Sequence, residues 1–405
     1  LTLRLPLGLL RRLLLPSAVL LDLPLRLPAA LLLLALALRY LFRPTLGVGE
    51  GVGRERRQHE VEPRRGDVED EVLARRPRRH MRLAQQVKVL TWRNPLVGCV
   101  MVKHGAVIAE GFHRQAGAAH AELEAIQNAT ESVEGATAYV NLEPCCHLEK
   151  RTPPCAQRLI AEGIKTVVIA NVDPHPAVSG AGIALLREAG IEVITDVLAQ
   201  EGELLNEVFF HNQRTQMPFV HLKLASTLDG KIAMADGQSQ WITGETARLH
   251  AHRLRAEHMA IAVGAETIRQ DNPQLTVRLP GYSGSQPLRL VFSRTGDLPN
   301  SAIVFSDVDA TRTRLLVKPD LDALLAELYQ QGIVNLLLEG GAGLASSFLA
   351  GGHVQRISHY LNPSYLGQGK SALDDYGLRD LSRRIHLKHV EYSPLGADFH
   401  ITGRV

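Results

Sequence analysis

From Leu96 onward, short apolar runs of strand length alternate with amphipathic stretches of helical period. "LVGCVMV" and "AVIAEGF" read as strands joined by the turn "KHG", "HAELEAIQNA" as a helix and "ATAYVNLE" as a strand. "CAQRLIAEG" follows as helix, "TVVIANV" as strand, "GIALLREAG" as a helix ending at Gly190, and "IEVITDV" as strand. A glycine just past a helix end suits the left-handed cap conformation. "AQEGELLNEVFFHNQR" reads as one closing helix. This βαβ rhythm implies a sheet with helices on its faces and several parallel strands. "TQMPFV" breaks the rhythm at Pro218, and a second α/β region follows. Its strands are expected at "VHLKLAS", "HMAIAVG", "LRLVFS", "IVNLLLEG" and "RISHYLN". The domain boundary is placed near Thr215, giving regions 81–215 and 216–405.

The first eighty residues follow neither pattern. They open in Leu/Arg/Pro-rich low complexity whose longest uncharged run, Leu27 to Leu38, is twelve residues. Spanning a bilayer takes about 20 residues. Arg and Pro also interrupt the single apolar block that a signal peptide requires. The charged stretch "GEGVGRERRQHEVEPRRGDVEDEVLARRPRRH" lacks an apolar period and reads as disordered. Residues 1–80 hold fifteen Arg, no Lys and nine acids, a net of +6, while the other 325 residues carry 30 basic and 33 acidic side chains, a net of −3. A faintly acidic body offers no basic footprint for nucleic acid. Met81 is the first methionine. Residues 1–80 are read as a mis-called or fused upstream stretch with no folded role; an organelle-targeting leader and then a membrane anchor are the alternatives. The body is expected in the cytoplasm, with no nucleic-acid or membrane partner.

Four cysteines in 405 residues are too few for a disulfide scaffold. Three of them, Cys145, Cys146 and Cys155, fall within "EPCCHLEKRTPPC". Upstream, His120 and Glu122 open the helix "HAELEAIQNA". Two residues apart, they would diverge in mid-helix, but at the first turn both reach a site off the N-terminus. Such an end favours anionic ligands. Cys155 follows Pro-Pro and opens a helix, where a thiolate is expected to have a lowered pKa. One His, two Cys and an unligated Glu describe an open zinc site with room for water. This is the zinc-deaminase pattern, with His120, Cys145 and Cys155 as ligands and Glu122 as proton shuttle. Taken singly, an H-x-E or a pair of cysteines means little; their order on alternating helix and strand is what carries weight. Cys146 points to the opposite face of an extended chain and is read as a non-ligand. His147 is read as a substrate contact, and Cys99 as core.

At "NPLVGCVMV", "AGAAHAELEAI", "YVNLEPCCH" and "RTPPCAQRLI" the chain resembles the bifunctional deaminase/reductase family of riboflavin biosynthesis. The resemblance continues through "VDPHPAVSGAGIALLREAGIEV", "LKLASTLDGKIA", "SQWITGE", "GAETIRQDNPQLTVR" and "LLLEGGAGLASSFL". It covers about residues 82–405, with the motifs in family order. It implies an α/β fold: a cytidine-deaminase-like three-layer α/β/α domain, then a dihydrofolate-reductase-like α/β domain. The first would hydrolyse the 2-amino group of 2,5-diamino-6-ribosylamino-4(3H)-pyrimidinone 5′-phosphate, using Zn2+. The second would reduce the ribosyl unit to ribityl with NADPH. A homo-oligomer is implied as well. The chain departs from the family pattern in the longer spacing "CHLEKRTPP" between Cys145 and Cys155, in the stretch before Asn94, and at Ser293, where an Asp is frequent.

In the second half, "LLLEGGAGLASSFL" is an apolar strand, a Gly-rich turn and a helix, an arrangement that suits a phosphate. A purely structural turn would look the same. By resemblance Gly341, Ala342, Gly343, Leu344, Ala345, Ser346 and Ser347 line NADPH, together with Ala225, Trp241, Thr267, Asp271 and Arg294. Ser239, Leu275 and Glu339 would meet the substrate, and Arg255 and Arg278 its phosphate, since the guanidinium fork donates two hydrogen bonds. On spacing alone both arginines read as solvated, and Trp241 could equally be core. No proton donor for the reduction stands out. Two other readings compete: a reductase with a degenerate deaminase half, and a zinc deaminase of nucleosides or nucleic acid. The latter enzymes space their cysteines as C-x-x-C, against nine intervening residues here.

Overall fold

The computed structural model describes residues 78–85, 94–146, 154–176 and 178–405. The expectations for residues 1–77 and for His147 lie outside the described residues. The first described helix, 78–85, buries His80, Met81 and Ala84, so the folded body includes residues the sequence reading gave to the leader.

Five strands form the first sheet: β1 (Gly98–Lys103), β2 (Ala106–Phe112), β3 (Thr137–Leu142), β4 (Thr166–Asn171) and β5 (Glu192–Ile194). Their order is β2-β1-β3-β4-β5. The hairpin β1–β2 and the pair β1–β3 are antiparallel; β3–β4 and β4–β5 are parallel. The helices α1 (Ala121–Gln127), α2 (Cys155–Ala161) and α3 (Ala181–Glu188) supply the connections. Their apolar faces meet the strands in one core built around Met101, Val140, Leu159, Ile169 and Leu186. Cys99 lies within that core, fully buried.

The expected closing helix is two helices, α4 (Ala199–Leu205) and α5 (Glu207–Thr215), broken at Asn206. The break has a tertiary cause. Buried Asn206 accepts the Leu96 N–H at 2.7 Å and donates to the Leu96 carbonyl at 2.9 Å. Beyond the break, α5 is tied to the second sheet. Glu207 receives both arms of Arg356 at 2.7 and 2.9 Å, and Asn212 donates to the Val334 carbonyl at 2.9 Å.

The second sheet has eight strands: β6 (Phe219–Thr227), β8 (Ala260–Gly264), β9 (Leu288–Ser293), β10 (Thr313–Val317), β11 (Asn335–Gly340), β12 (Arg356–Asn362), β14 (Lys388–Leu395) and β15 (Asp398–Arg404). Its order is β10-β9-β8-β11-β6-β12-β15-β14, parallel from β10 to β12 and antiparallel beyond. A small two-stranded antiparallel sheet pairs β7 (Lys231–Met234) with β13 (Gly369–Ser371). A parallel sheet is buried on both faces, so its central strands are apolar without interruption. In β11, Leu336 and Leu338 enter one core while Leu337 enters the other. The helices covering the sheet include α6 (Glu245–Ala256), α7 (Ala265–Asp271), α8 (Leu321–Gln330) and α9 (Ala342–Ala350). The C-terminal ends of β6, β8, β9, β10 and β11 line one rim, the usual place for a ligand in such a sheet. Among the described residues, no helix is long and apolar enough to cross a membrane.

Candidate active sites

The first site gathers at three element ends. His120 is the N-cap of α1 with extended backbone (φ −72°, ψ 161°), so its side chain leaves the helix rather than lying along it. Cys145 follows the end of β3, and Cys155 is the first residue of α2. The His120 Nδ1 is 3.2 Å from the Cys155 Sγ and 3.5 Å from the Cys145 Sγ. The three candidate ligand atoms lie within 4.8 Å of one another, the one such group found among the described residues. Tetrahedral zinc, with Zn–S about 2.3 Å and Zn–N about 2.0 Å, separates its ligand atoms by about 3.5–3.8 Å. The donor set and its spacing therefore fit zinc.

Close backbone contact positions α1. A Cβ on Gly111 would stand 2.3 Å from the Ala125 nitrogen and 2.4 Å from the Ala121 oxygen, so only glycine lets β2 cross the helix there. Glu122, in the first turn, is 3% exposed. Burial pushes its carboxyl upward, and a Cys145 thiolate adds to the rise. A carboxylate so placed readily holds a proton.

The expectation that Cys155 is the acidified thiol is corrected. Cys145 is the lowered one, through the hydrogen bond from the Cys155 thiol, whereas that same bond followed by burial pushes Cys155 up. The Cys155 backbone N–H also points at the Cys145 Sγ at 3.5 Å, so the helix N-terminus serves the neighbouring sulfur. Cys146 packs against the core instead of joining the cluster.

Two residues near this site were missed from sequence. The His113 ring stands edge-on to His120 at 5.4 Å between centroids, its Nδ1 3.0 Å from the Ala119 oxygen and its Nε2 3.0 Å from the Asn94 amide. Buried Glu143 accepts the N–H groups of Asp173, Gly180 and Ile183 at 3.2, 2.9 and 3.1 Å, fastening the 173–183 segment beside the strand end that carries Cys145. A glutamate directly before Pro-Cys-Cys was the available signal for the second.

The second site is a cavity of about 1850 Å³ at the rim of the large sheet. Of the residues expected there, only Ala345 does not line it; it turns into the core at 1% exposure. Gly340 and Gly341 have φ of 155° and 79°, which lets β11 turn sharply into α9. Thr267 faces this turn, its Oγ1 3.6 Å from where a Cβ on either glycine would stand. Ser239 donates to Asp271 at 2.7 Å, joining a residue expected at the substrate to one expected at the cofactor. Trp241 is 67% exposed with the Arg248 guanidinium 4.5 Å over its ring, so it is not core. At Ser293, the hydroxyl accepts the N–H groups of Thr295 and Gly296 at 3.3 and 2.9 Å and holds the turn after β9.

Arg255 and Glu339 form a bidentate pair at 2.6 and 2.9 Å, and Arg255 also donates to the Thr276 carbonyl at 3.0 Å. The Arg255 fork is thus engaged inside the protein. Burial alone would raise the Glu339 carboxyl, but Arg255 and then Lys223 hold it at about 2. Lys223, absent from the sequence reading, lines the cavity; burial lowers its ammonium while Glu339 supports it. Arg278 is more open, with hydrogen bonds to Gln274 and Thr276 at 3.1 and 3.3 Å. Burial, then the charges of Arg255 and Arg278, push neighbouring His252 down to about 4. This end of the cavity is strongly electropositive.

The comparisons with known proteins agree with this geometry. The family model for the cytidine and deoxycytidylate deaminase zinc-binding region matches residues 75–171, and that for the RibD C-terminal domain matches residues 218–401. Riboflavin biosynthesis protein RibD of Actinobacillus pleuropneumoniae is 41% identical over 349 residues, covering 79% of this chain and 92% of that protein. The Escherichia coli protein of the same name is 38% identical over 359 residues, 80% of this chain and 98% of its own length. Among solved structures, Acinetobacter baumannii RibD superposes with a TM-score of 0.73 at 35% identity, over 83% of this chain and 100% of that one. A Thermotoga maritima diaminohydroxyphosphoribosylaminopyrimidine deaminase/5-amino-6-(5-phosphoribosylamino)uracil reductase has the same score at 37% identity, covering 83% and 99%. A deaminase domain with a His/Cys/Cys zinc cluster, followed in the same chain by a RibD-type NADPH-dependent reductase domain, places the protein in the RibD family of bifunctional riboflavin-biosynthesis enzymes.

Proposed function

We propose that the chain hydrolyses the 2-amino group of 2,5-diamino-6-ribosylamino-4(3H)-pyrimidinone 5′-phosphate and then reduces the ribosyl unit of the product to ribityl with NADPH. The observation that carries this reading is the joint presence of the His120/Cys145/Cys155 cluster beside buried Glu122 and the glycine-turn cavity rich in cations. Despite the lengthened spacing, Cys145 and Cys155 stand side by side, which argues against a degenerate deaminase half. We assign the deaminase to residues 78–215 and the reductase to 216–405, with the cytoplasm as compartment and a homo-oligomer as assembled form.

In the first reaction His120, Cys145 and Cys155 would hold zinc, which supplies Lewis acidity that brings the pKa of water toward neutrality. Glu122 accepts the water's proton and delivers it to the leaving amine; its raised pKa suits both halves of that transfer. In the second reaction Gly341, Ala342, Gly343, Leu344, Ser346, Ser347, Ala225, Trp241, Thr267, Asp271 and Arg294 would hold NADPH, which supplies hydride. Ser239, Leu275 and Glu339 line the substrate end, and Arg278, the cation there with the freer fork, takes the phosphate. Lys223 adds a donor beside Glu339. Zinc analysis and separate assays of the two half-reactions on one preparation test the proposal. One zinc per chain with both activities is expected; a zinc-free protein that only reduces would overturn the first half.

A further inference from the structure

Strand β9 carries an arginine in its apolar run: Arg289, between Leu288 and Leu290, is 1% exposed. A guanidinium has five N–H donors, and here all five are engaged. The Nε donates to the Thr313 hydroxyl at 2.8 Å. One terminal nitrogen donates to Asp307 at 2.7 Å and to the Gln274 carbonyl at 2.9 Å. The other donates to Asp307 at 2.8 Å and to the Val304 carbonyl at 3.0 Å. Val304, Asp307 and Thr313 belong to the body of the fold, in or beside the short helix Ile303–Ser306 and at the start of β10. Gln274, by contrast, lines the large cavity. A buried ion pair is by itself a poor source of stability, since apolar residues of the same volume usually do as well. What they could not do is hold the Gln274 carbonyl.

Gln274 sits in the segment 272–278 that follows α7. Asn272 and Leu275 have φ of 40° and 55° there. Left-handed backbone at residues other than glycine persists only where the surroundings impose it. The Ile303 N–H fixes the Asn272 side chain at 2.8 Å, and the Gln286 amide bonds the Val277 N–H at 2.7 Å and its carbonyl at 3.2 Å. Leu275 and Val277 are buried, while Gln274 and Arg278 are exposed and line the cavity. The Gln274 side chain then meets Arg278: its Oε1 accepts from the Arg278 guanidinium at 3.1 Å, beside the Thr276 hydroxyl at 3.3 Å. One residue therefore links the two arginines. Gln274 is held by its carbonyl from below and holds Arg278 with its amide. Asp307 neutralises Arg289, so the link brings no net positive charge toward Arg278.

We propose that Arg289 is a positioning residue of the reductase half. Through the Gln274 carbonyl it fixes the 272–278 segment, and through the Gln274 amide it presents the Arg278 guanidinium to the substrate phosphate. A free arginine side chain loses rotamer freedom when it binds. One already aimed by its neighbours loses less, and the difference appears as affinity. The inference rests on the reading of Arg278 as the phosphate cation, and adds the buried residue that sets its aim without touching substrate.

Steady-state kinetics of the full chain on the deaminated phosphorylated substrate and on its dephosphorylated 5′-hydroxyl form test it. Arg289→Lys keeps a charge beside Asp307 but replaces the planar fork with three donors on one nitrogen. Its KM for the phosphorylated substrate should rise about five- to thirtyfold, with kcat and the KM for NADPH within about twofold of the parent. The dephosphorylated form should be used as well by the variant as by the parent. Gln274→Met, at an exposed position, cuts the link without disturbing the buried cluster. It should raise the same KM about three- to tenfold. In an Arg278→Ala background neither substitution should cost more than about twofold further, because the group they aim is gone. Costs that add in full in that background, a Gln274→Met protein with the parent's KM, or equal damage with the dephosphorylated substrate each overturn the positioning role. If Arg289→Lys does not fold, the Gln274→Met cycle decides alone. An Arg278→Ala protein with an unchanged KM for the phosphorylated substrate sinks the phosphate reading itself, and the positioning role with it.

Discussion

Arg255→Met is expected to unfold the reductase half more readily before it changes any kinetic constant. The guanidinium makes two bonds to Glu339 and one to the Thr276 carbonyl, with the two side chains 14% and 7% exposed. Removing one partner of such a pair leaves a carboxylate buried, with Lys223 and the more open Arg278 as the cations that still act on it. That situation typically costs about 3–5 kcal/mol. The structure supports the upper part of the range, because Glu339 is held at about 2 against the rise that burial alone would impose. Arg255→Met/Glu339→Gln removes both charges and should recover most of the loss, to within about 1–2 kcal/mol of the parent. Urea unfolding of the full chain at neutral pH, followed by circular dichroism, measures both. If Arg255 instead offers its fork mainly to the substrate phosphate, as family resemblance implies, the single variant would stay within about 1 kcal/mol of the parent and show only a raised KM. That result, or a double variant no more stable than the single one, would refute the argument.

The same pair sets an acid dependence. A carboxyl depressed in the fold contributes stability that is present above its ordinary value of 4.5 and lost as pH falls toward about 2. Glu339→Gln should flatten the acid limb of stability across that window by on the order of 3 kcal/mol; an unchanged limb would place the charge elsewhere. Cys145→Ser and Cys155→Ser should each strip zinc, while Cys146→Ser keeps it, as read by elemental analysis; the reverse pattern would reassign the ligands. Asn206→Ala removes two buried hydrogen bonds to Leu96 and should cost about 1–3 kcal/mol, seen as a lower Tm; a shift too small to measure would mean the helix break is held by something else.

The parts legible from sequence are those in which one local signal decides. The strands of the large sheet that are buried on both faces read directly, as in the leucine run of β11. The zinc cluster was legible because its members lie at helix and strand ends that the patterning itself marks. Strands β10 and β14 were not read, because they mix exposed and half-buried residues at the sheet edges, and β15 was not, because several of the residues it buries, Asp398, His400 and Thr402, are polar. The helix break at Asn206 depends on Leu96, in the segment leading into β1 and 110 residues earlier. Arg255 and Glu339 were each given to the substrate, and their pairing across 84 residues cannot be seen in either local motif. The acidified thiol went to Cys155 for a related reason: the hydrogen bonds from the Cys155 thiol and then from its backbone N–H both reach across to Cys145, ten residues away in the chain.

Glu122→Gln tests the central claim most directly, because the amide can still hydrogen-bond but cannot shuttle a proton. Paired steady-state kinetics on the two half-reactions, with zinc content measured on the same samples, give the answer. Deamination should fall by about 10²–10⁴-fold while zinc stays at one per chain and NADPH-dependent reduction of the deaminated substrate is spared. Deamination within about threefold of the parent, or equal damage to both reactions, would contradict an account in which one chain carries two separate chemistries, the first of them driven through Glu122.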